Sequence, residues 1–465
     1  MGTVHAKAEA GDSVEVGGMF GLDDSAAIDD DPLPKQSIKL NGVRARVDRV
    51  HVEGLSRTKD DIIRNTIDDL FHATDFEDVI LRAHRVRRAL DSMGCFRDIG
   101  VYIDVSSGPG STPEGLEVTF QVKELSRIVG GVNTTVSENE GNLVLGVKLP
   151  NVLGRGERVA AEYSMGHRAS SNFSITANKP YPHRPLNSVI TGSVYQQNHE
   201  YPWSGYRLLD RGLLLDLAFH TSPATKHNLQ WEGVVRETSV LNKTTSFRVR
   251  ESSGPQMKSI LRHIVTVEHR DSSIFPTRGT WLQFSSEVCG LGGGVANLRT
   301  ELQAQGNVEP LPGLVLQVSA AMGVLHDMFG TDIPDHYFLG GPTTLRGFQQ
   351  RGVGPHSDGQ ATGGKMYWAG GLHVYTPLPF HPGRGGLGEL FRTHAFLLAG
   401  CLAPPEEAAS PLEALSAVRL SCGAGVALRL GRVARLELNY AVPLRARAGD
   451  VPAPGLQFGV GAHFL

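Results

Sequence analysis

Few side chains in this chain invite a chemical reading. The segment Phe338-Leu339-Gly340-Gly341-Pro342-Thr343-Thr344-Leu345-Arg346-Gly347-Phe348 sets one arginine between apolar residues on a glycine-rich stretch. That much glycine disfavours a helix, and a polar, glycine-studded loop follows from Gln349 to Gly364. A guanidinium on such a loop suits a loop folded back into a polar cavity and pinned there by a carboxylate. It also suits an ordinary surface loop with a solvated arginine. Motifs for bond-making chemistry are missing: there is no phosphate loop, HExxH pair or GxSxG elbow. Gly292-Gly293-Gly294 reads as a turn, because no helical pattern follows it. The 18 histidines are scattered and read mostly as loop residues. No metal, no cofactor and no enzymatic activity are therefore expected.

Composition narrows the class. A net charge of −3 over 465 residues argues against nucleic-acid binding through a basic field. The 55 glycines punctuate short apolar–polar runs, as suits many strands joined by tight turns. Cys95, Cys289, Cys401 and Cys422 lie far apart with no CxxC pair, so they read as buried thiols. The first thirty residues lack the basic-then-apolar start of a signal peptide, and Ala6 sits where a myristoylation motif needs Ser or Thr. No apolar run approaches the roughly eighteen residues of a membrane helix; the best, Ala395 to Ala403, ends at Pro404-Pro405. A helical membrane protein is excluded. A transmembrane barrel is not, because its alternating strands average out as polar.

Three regions follow along the chain. Residues 1–40 carry Asp23, Asp24, Asp29, Asp30 and Asp31 with few large apolar side chains, and read as a disordered acidic tail. Residues 45–125 give a small α+β pattern, β-α-α-β-β. Thr58 is expected to cap a first helix holding Ile63, Ile67, Leu70 and Phe71 at helical spacing. Thr74-Asp75-Phe76-Glu77 is expected to cap a second, which buries Phe76, Val79, Ile80, Ala83, Val86, Leu90 and Met93 and stops at Gly94. Arg82, Arg85, Arg87 and Arg88 fall on its outer side, as a solvated face or as an anion surface.

From 128 to 465 the texture is that of long alternating strands. Leu314, Leu316, Val318, Ala320, Met322 and Val324 repeat at every second position, as do Leu436, Leu438 and Tyr440 against Arg435, Glu437 and Asn439. At roughly 20 residues per strand and turn, such a length holds on the order of sixteen antiparallel strands. So much one-sided apolar face is best hidden by a closed barrel with lipid outside and a polar lumen. Tyr181, Tyr201, Trp203, Tyr367 and Trp368 are candidates for interfacial girdles. The terminal run Gly455 to Leu465 reads as a last amphipathic strand that must pair with the first.

The Leu345-Arg346-Gly347-Phe348 motif, the preceding helix-containing module and this terminal strand together resemble the outer-membrane β-barrel insertase family. Tyr337 to Thr343, Tyr367 to His373, Thr376 to Phe380, Gly388 to His394 and Ala434 to Tyr440 are similar to the barrel subunits of the mitochondrial sorting and assembly machinery. The resemblance implies one POTRA domain at 45–125 in the intermembrane space. It also implies a sixteen-stranded transmembrane barrel at 128–465 in the mitochondrial outer membrane. The implied activity is folding and insertion of β-barrel precursors through a seam between first and last strands, near Ile128–Thr135 and Leu456–Leu465. The implied partners are those precursors, other assembly subunits, the lipid bilayer and an inner-membrane cristae-organising complex. A translocating pore and a membrane-tethering role stay open.

In that family Arg346 with Leu345, Gly347 and Phe348 would form a lumen loop. Many relatives carry an acidic residue in a following Phe-x-Asp-x-Gly strand, where this chain reads Phe396-Leu397-Leu398-Ala399-Gly400. Glu437 is the candidate partner in its place. The family's C-terminal strand signal would fall on Gln457, Gly459, Ala462 and Phe464. The Ala-, Pro- and Glu-rich region 403–418 departs from the family pattern, as a paralogue would.

Overall fold

The computed structural model describes residues 43–137, 140–166, 170–181, 188–378, 387–403, 417–431, 434–461 and 464–465. The acidic tail, Ala462 and most of 403–418 lie outside them. Contacts divide the chain into two compact units. One runs to Asn133 and takes in Val147–Val159 and a short stretch from Lys179; the other holds Thr134–Gly146, Ala160–Asn178 and Ser188–Leu465.

In the first unit, β1 (Arg46–Glu53), α1 (Asp60–Ile67), α2 (Phe76–Ser92), β2 (Phe96–Val105) and β3 (Gly115–Glu124) follow in that order. The three strands form a sheet ordered β1-β3-β2, with β1 parallel and β2 antiparallel to β3. Helix α2 turns Val79, Ala83, Val86 and Leu90 to one face, where they pack with Leu70, Val118 and Phe120 in a closed apolar core. Each such large side chain contributes about 1.5–3 kcal/mol when fully buried. Gly94, at φ +58, takes the left-handed turn after α2. Arg82 is paired with Asp78 and Asp69, and Arg85 with Asp69, which spends part of the basic face on local ion pairs.

The helix starts differ from expectation. Lys59 and Asp75 are the N-caps, and neither makes a side-chain cap bond. Thr58 is instead drawn to Glu124, whose carboxylate accepts bonds from the Ser56, Arg57 and Thr58 amides at 2.9–3.1 Å and from the Thr58 hydroxyl at 2.7 Å. The charged carboxylate thus engages the Thr58 hydroxyl itself, which is turned away from the amides of the first helical turn. Phe71 is exposed because a 3-10 turn, Asp68–His72, breaks the α-helical register.

Burial works against ionisation of Glu124, but the Ser56, Thr58 and Arg57 hydrogen bonds overcome it and hold its pKa down at about 2. The folded value lies below that of an unfolded glutamate, so this stabilisation is present above roughly pH 4.3 and is lost as pH falls toward 2. Hydrogen exchange corrected for intrinsic rates should show protection at Ser56–Thr58 fading across that window. Glu124→Gln should show weak protection at every pH, and equal protection in both proteins would contradict the assignment.

The second architecture is a sixteen-stranded sheet. Its members are β4 (Val129–Ser137), β5 (Glu140–Pro150), β6 (Arg158–Gly166), β7 (Ser171–Tyr181), β8 (Ser188–Tyr201), β9 (Tyr206–Ser222) and β10 (Thr225–Val240). After the short helix α3 (Phe247–Glu251) come β11 (Gly254–Glu268), β12 (Gly279–Gly293), β13 (Ala296–Leu311) and β14 (Leu314–Phe329). The loop after β14 contains a hairpin of β15 (His356–Ser357) and β16 (Gln360–Ala361). The sheet resumes with β17 (Met366–Pro377), β18 (Phe391–Ala403), β19 (Arg419–Leu430), β20 (Ala434–Arg445) and β21 (Gly455–Gly461). Each strand neighbours the next along the chain, β14 pairs with β17 across the loop, and β4 and β21 stand at the two ends of the order.

Strand β14 shows which face is which. Leu316, Val318, Met322 and Val324 are exposed, while Gln317 and Ser319 between them are buried. Apolar outside and polar inside is the reverse of a water-soluble sheet and fits a transmembrane barrel. No described helix is long and apolar enough to cross a membrane. Two of the expected girdle aromatics face inward instead: the Tyr367 hydroxyl donates to Glu301, and Tyr201 stacks against Arg351 of the loop. Alternation decides this, since a one-residue shift in strand phase moves a side chain from lipid to lumen.

Candidate functional site

The loop between β14 and β17 carries the Leu345-Arg346-Gly347-Phe348 tip into the sheet's polar interior. Bridges of Tyr337 to Gly364 and Leu339 to Val353 tie its two limbs together. Leu345 and Phe348 are fully buried and pack with Leu339, Val353, Phe396, Leu398 and Ala441. These apolar anchors fix the tip, so Arg346 is placed by packing as well as by charge. Leu398, at the position where an acidic residue was looked for, belongs to this apolar cluster and is fully buried.

Arg346 has no exposed surface, and its guanidinium donates to Glu437 Oε2 at 2.7 Å and to the main-chain oxygen of Leu465 at 2.9 Å. Arg435 lies 3.0 Å from the other oxygen of Glu437. Two cations thus share one buried carboxylate. The excess positive charge is faced by aromatic rings: Phe396 lies 4.9 Å and Phe464 5.5 Å from the Arg346 guanidinium, with Phe464 also 4.6 Å from Arg435.

Beside this centre runs a row of buried polar groups on four strands. Ser319 of β14 meets His373 of β17 at 3.2 Å, and His373 meets His394 of β18 at 3.0 Å. His394 meets Asn439 of β20 at 3.2 Å, and the Asn439 amide donates to Glu437 at 2.9 Å. With one donor and one acceptor per imidazole, a single direction of donation, from Ser319 toward Glu437, satisfies the row. Sequence reading missed these two histidines. The available signal was their parity: His373 shares the inward face of β17 with Tyr375, and His394 that of β18 with Phe396.

The last strand is fastened to the same loop. Gln457 accepts from the Gly347 amide at 2.9 Å and donates to the Phe348 carbonyl at 3.1 Å. The Ala453 amide donates to the Gly347 carbonyl, and Val451 exchanges main-chain bonds with Gln349 and Gly352. Asp450, held by a two-pronged contact from Arg419 at 3.0 Å, accepts from the Gly354 amide. Gly459 is buried, and an added Cβ there would meet Phe464 and Pro342. The described strand runs to Gly461, and Phe464 and Leu465 are not part of it. Phe464 is buried against the two arginines, and the Leu465 amide donates to the Thr343 carbonyl at 3.0 Å. A cavity of about 490 Å³ lies alongside, lined by Arg299, Glu301 and Gln303 of β13, Tyr337 and Arg351 of the loop, and Phe464.

Together these contacts lock the loop to the inner wall and to the final strand.

A model of the Omp85 superfamily domain matches residues 151–464. The Sorting and assembly machinery component 50 homolog of Bos taurus is 42% identical over 478 aligned positions, covering all of both chains. The chain belongs to this family. The Homo sapiens homolog of the same name is 41% identical, again over all of both chains. Among solved structures, BamA from Haemophilus ducreyi lacking POTRA domains 1–3 superposes with a TM-score of 0.73. That match covers 90% of this chain and 84% of BamA at 17% identity, and it supports the fold alone. The sixteen-stranded sheet is thus an Omp85 transmembrane barrel, and its Arg346 loop, Glu437 and Gln457 sit inside a sorting and assembly machinery component 50 relative.

Proposed function

We propose that this protein folds β-barrel precursors and inserts them into the mitochondrial outer membrane, without enzymatic chemistry. Its small α+β unit is a POTRA domain on the intermembrane-space side. The observation that carries the reading is the fastening of β21 to the lumen loop through Gln457, Gly347 and Phe348, with β4 and β21 at opposite ends of the strand order. A sheet with one fastened end strand offers the other pairing edge for exchange. An incoming strand then adds by β-augmentation, trading one ladder of main-chain bonds for another, so no nucleotide is consumed in principle. Precursors are the transient partners; other assembly subunits and an inner-membrane cristae-organising complex are the stable ones.

Full-length protein in liposomes, mixed with a radiolabelled porin-type precursor, tests this. Protease-resistant, membrane-embedded precursor should accumulate well above the level in empty liposomes. Precursor delivered into the vesicle interior would indicate a translocating pore, and equality with empty liposomes would overturn the proposal.

A further inference from the structure

The loop carries a second arginine, Arg351, whose surroundings are as elaborate as those of Arg346. It holds a left-handed backbone, φ +57, which a non-glycine residue adopts at a cost. Its guanidinium lies between the rings of Tyr201 and Phe338, 4.1 and 3.9 Å from their centroids. One of its nitrogens donates to the Ser204 hydroxyl at 3.0 Å and to the Tyr206 hydroxyl at 2.9 Å. Tyr201, Ser204 and Tyr206 belong to the β8–β9 connection, far along the strand order from β20. A planar cation stacked on aromatic faces while donating in its own plane is a use that arginine serves and lysine serves only in part.

Neighbouring contacts fasten the same loop to the same wall. Asp335, ahead of the tip, pairs with Lys258 of β11 at 2.6 Å and Arg236 of β10 at 2.9 Å. Gln360 of β16 accepts from the Ser246 amide at 3.0 Å. The loop is therefore a strut between two walls: Asp335, Arg351 and Gln360 hold it to the β8–β11 side, and Arg346 and Phe348 hold it to the β18–β21 side. Arg346 and Arg351 are five residues apart, a reach of at most about 18 Å when extended. With so little slack, release of one anchor frees the other to shift.

We infer that Arg351 is a positioning residue, which clamps the loop to the β8–β9 wall and thereby keeps the Arg346 tip seated on Glu437 and Gln457. The inference deepens the insertase reading by assigning control of the same loop, but its test needs no precursor.

Single-channel recording of the full chain in planar bilayers reads loop seating directly. Wild type should be quiet. Arg351→Met should raise the frequency of large openings about tenfold, the loss expected from one charge-assisted bond, and Arg351→Lys should recover the quiet state only in part. Arg346→Ala should open the lumen too, and adding Arg351→Met to it should change nothing further, because both act through the same tip. Additive effects in the double variant would overturn the inference by reducing Arg351 to a general structural contact. Should Arg351→Met fail to fold, Tyr201→Leu replaces it, with a smaller rise expected; wild-type recordings from that variant would be equally fatal. Failure of precursor insertion with these recordings intact would sink the insertase proposal and leave the strut standing.

Discussion

Glu437→Ala should be the most damaging single change in the lumen, costing about 3–5 kcal/mol, the range for a buried charge stripped of its partner. It leaves Arg346 and Arg435 facing each other with no carboxylate between them. Arg346→Ala should cost less, about 1.5–3 kcal/mol, the worth of a hydrogen bond to a charged group. The carboxylate there keeps Arg435 and the Asn439 amide. Heat-modifiable gel mobility and thermal unfolding of the reconstituted chain give the ranking, and precursor insertion should fall in the same order. A reciprocal swap of Arg346 and Glu437 is expected not to recover function, because Arg435 would then face a second cation at position 437. Equal effects of the two alanine variants would show that Arg435 takes no part.

Gly347→Val should abolish loop seating while leaving the barrel folded. Gly347 sits at φ +87, which costs a side-chain-bearing residue about 1–2 kcal/mol. Its added Cβ would lie 3.2 Å from the Pro443 nitrogen and 3.3 Å from the Ser421 side chain, overpacking worth about another 1–3 kcal/mol. The tip cannot retreat, because Gln457 and Ala453 hold both main-chain groups of Gly347. Gly359 is the internal comparison: its φ of +78 is similar, but nothing lies within 4 Å of an added Cβ. Gly359→Val should therefore keep near-normal insertion where Gly347→Val loses it. Matching losses would mean that backbone conformation, not closeness to β19 and β20, is what counts at the tip.

Much of the barrel was legible in the sequence because strand alternation is strict: the phase of Leu436, Leu438 and Tyr440 alone puts Glu437 on the inner face, where Arg346 meets it. The β-α-α-β-β order of the first unit was legible from helical spacing and Gly94. What alternation could not supply was contact between strands distant in the chain. His373 and His394 line up only once β17 and β18 are in register. The cap at Thr58 was misassigned for the same reason, since Glu124, 66 residues beyond it, accepts from the very hydroxyl that a local rule assigns to the helix start. The burial of Phe464 also escaped detection, because an alternating run says nothing about which ring the lumen arginines meet. Its cause is the pair of arginines that the ring meets.

The central claim is that precursors enter at the junction of β4 and β21, and site-specific photo-cross-linking tests it most directly. A cross-linker would be placed at Thr134 of β4, at Phe458 of β21, and at Met322 of β14 as a lipid-facing control, all three being exposed. An arrested precursor should cross-link through its last strand at Thr134 and Phe458 and leave Met322 unmarked. Equal yields at the three positions, or adducts at Met322 alone, would contradict a lateral seam.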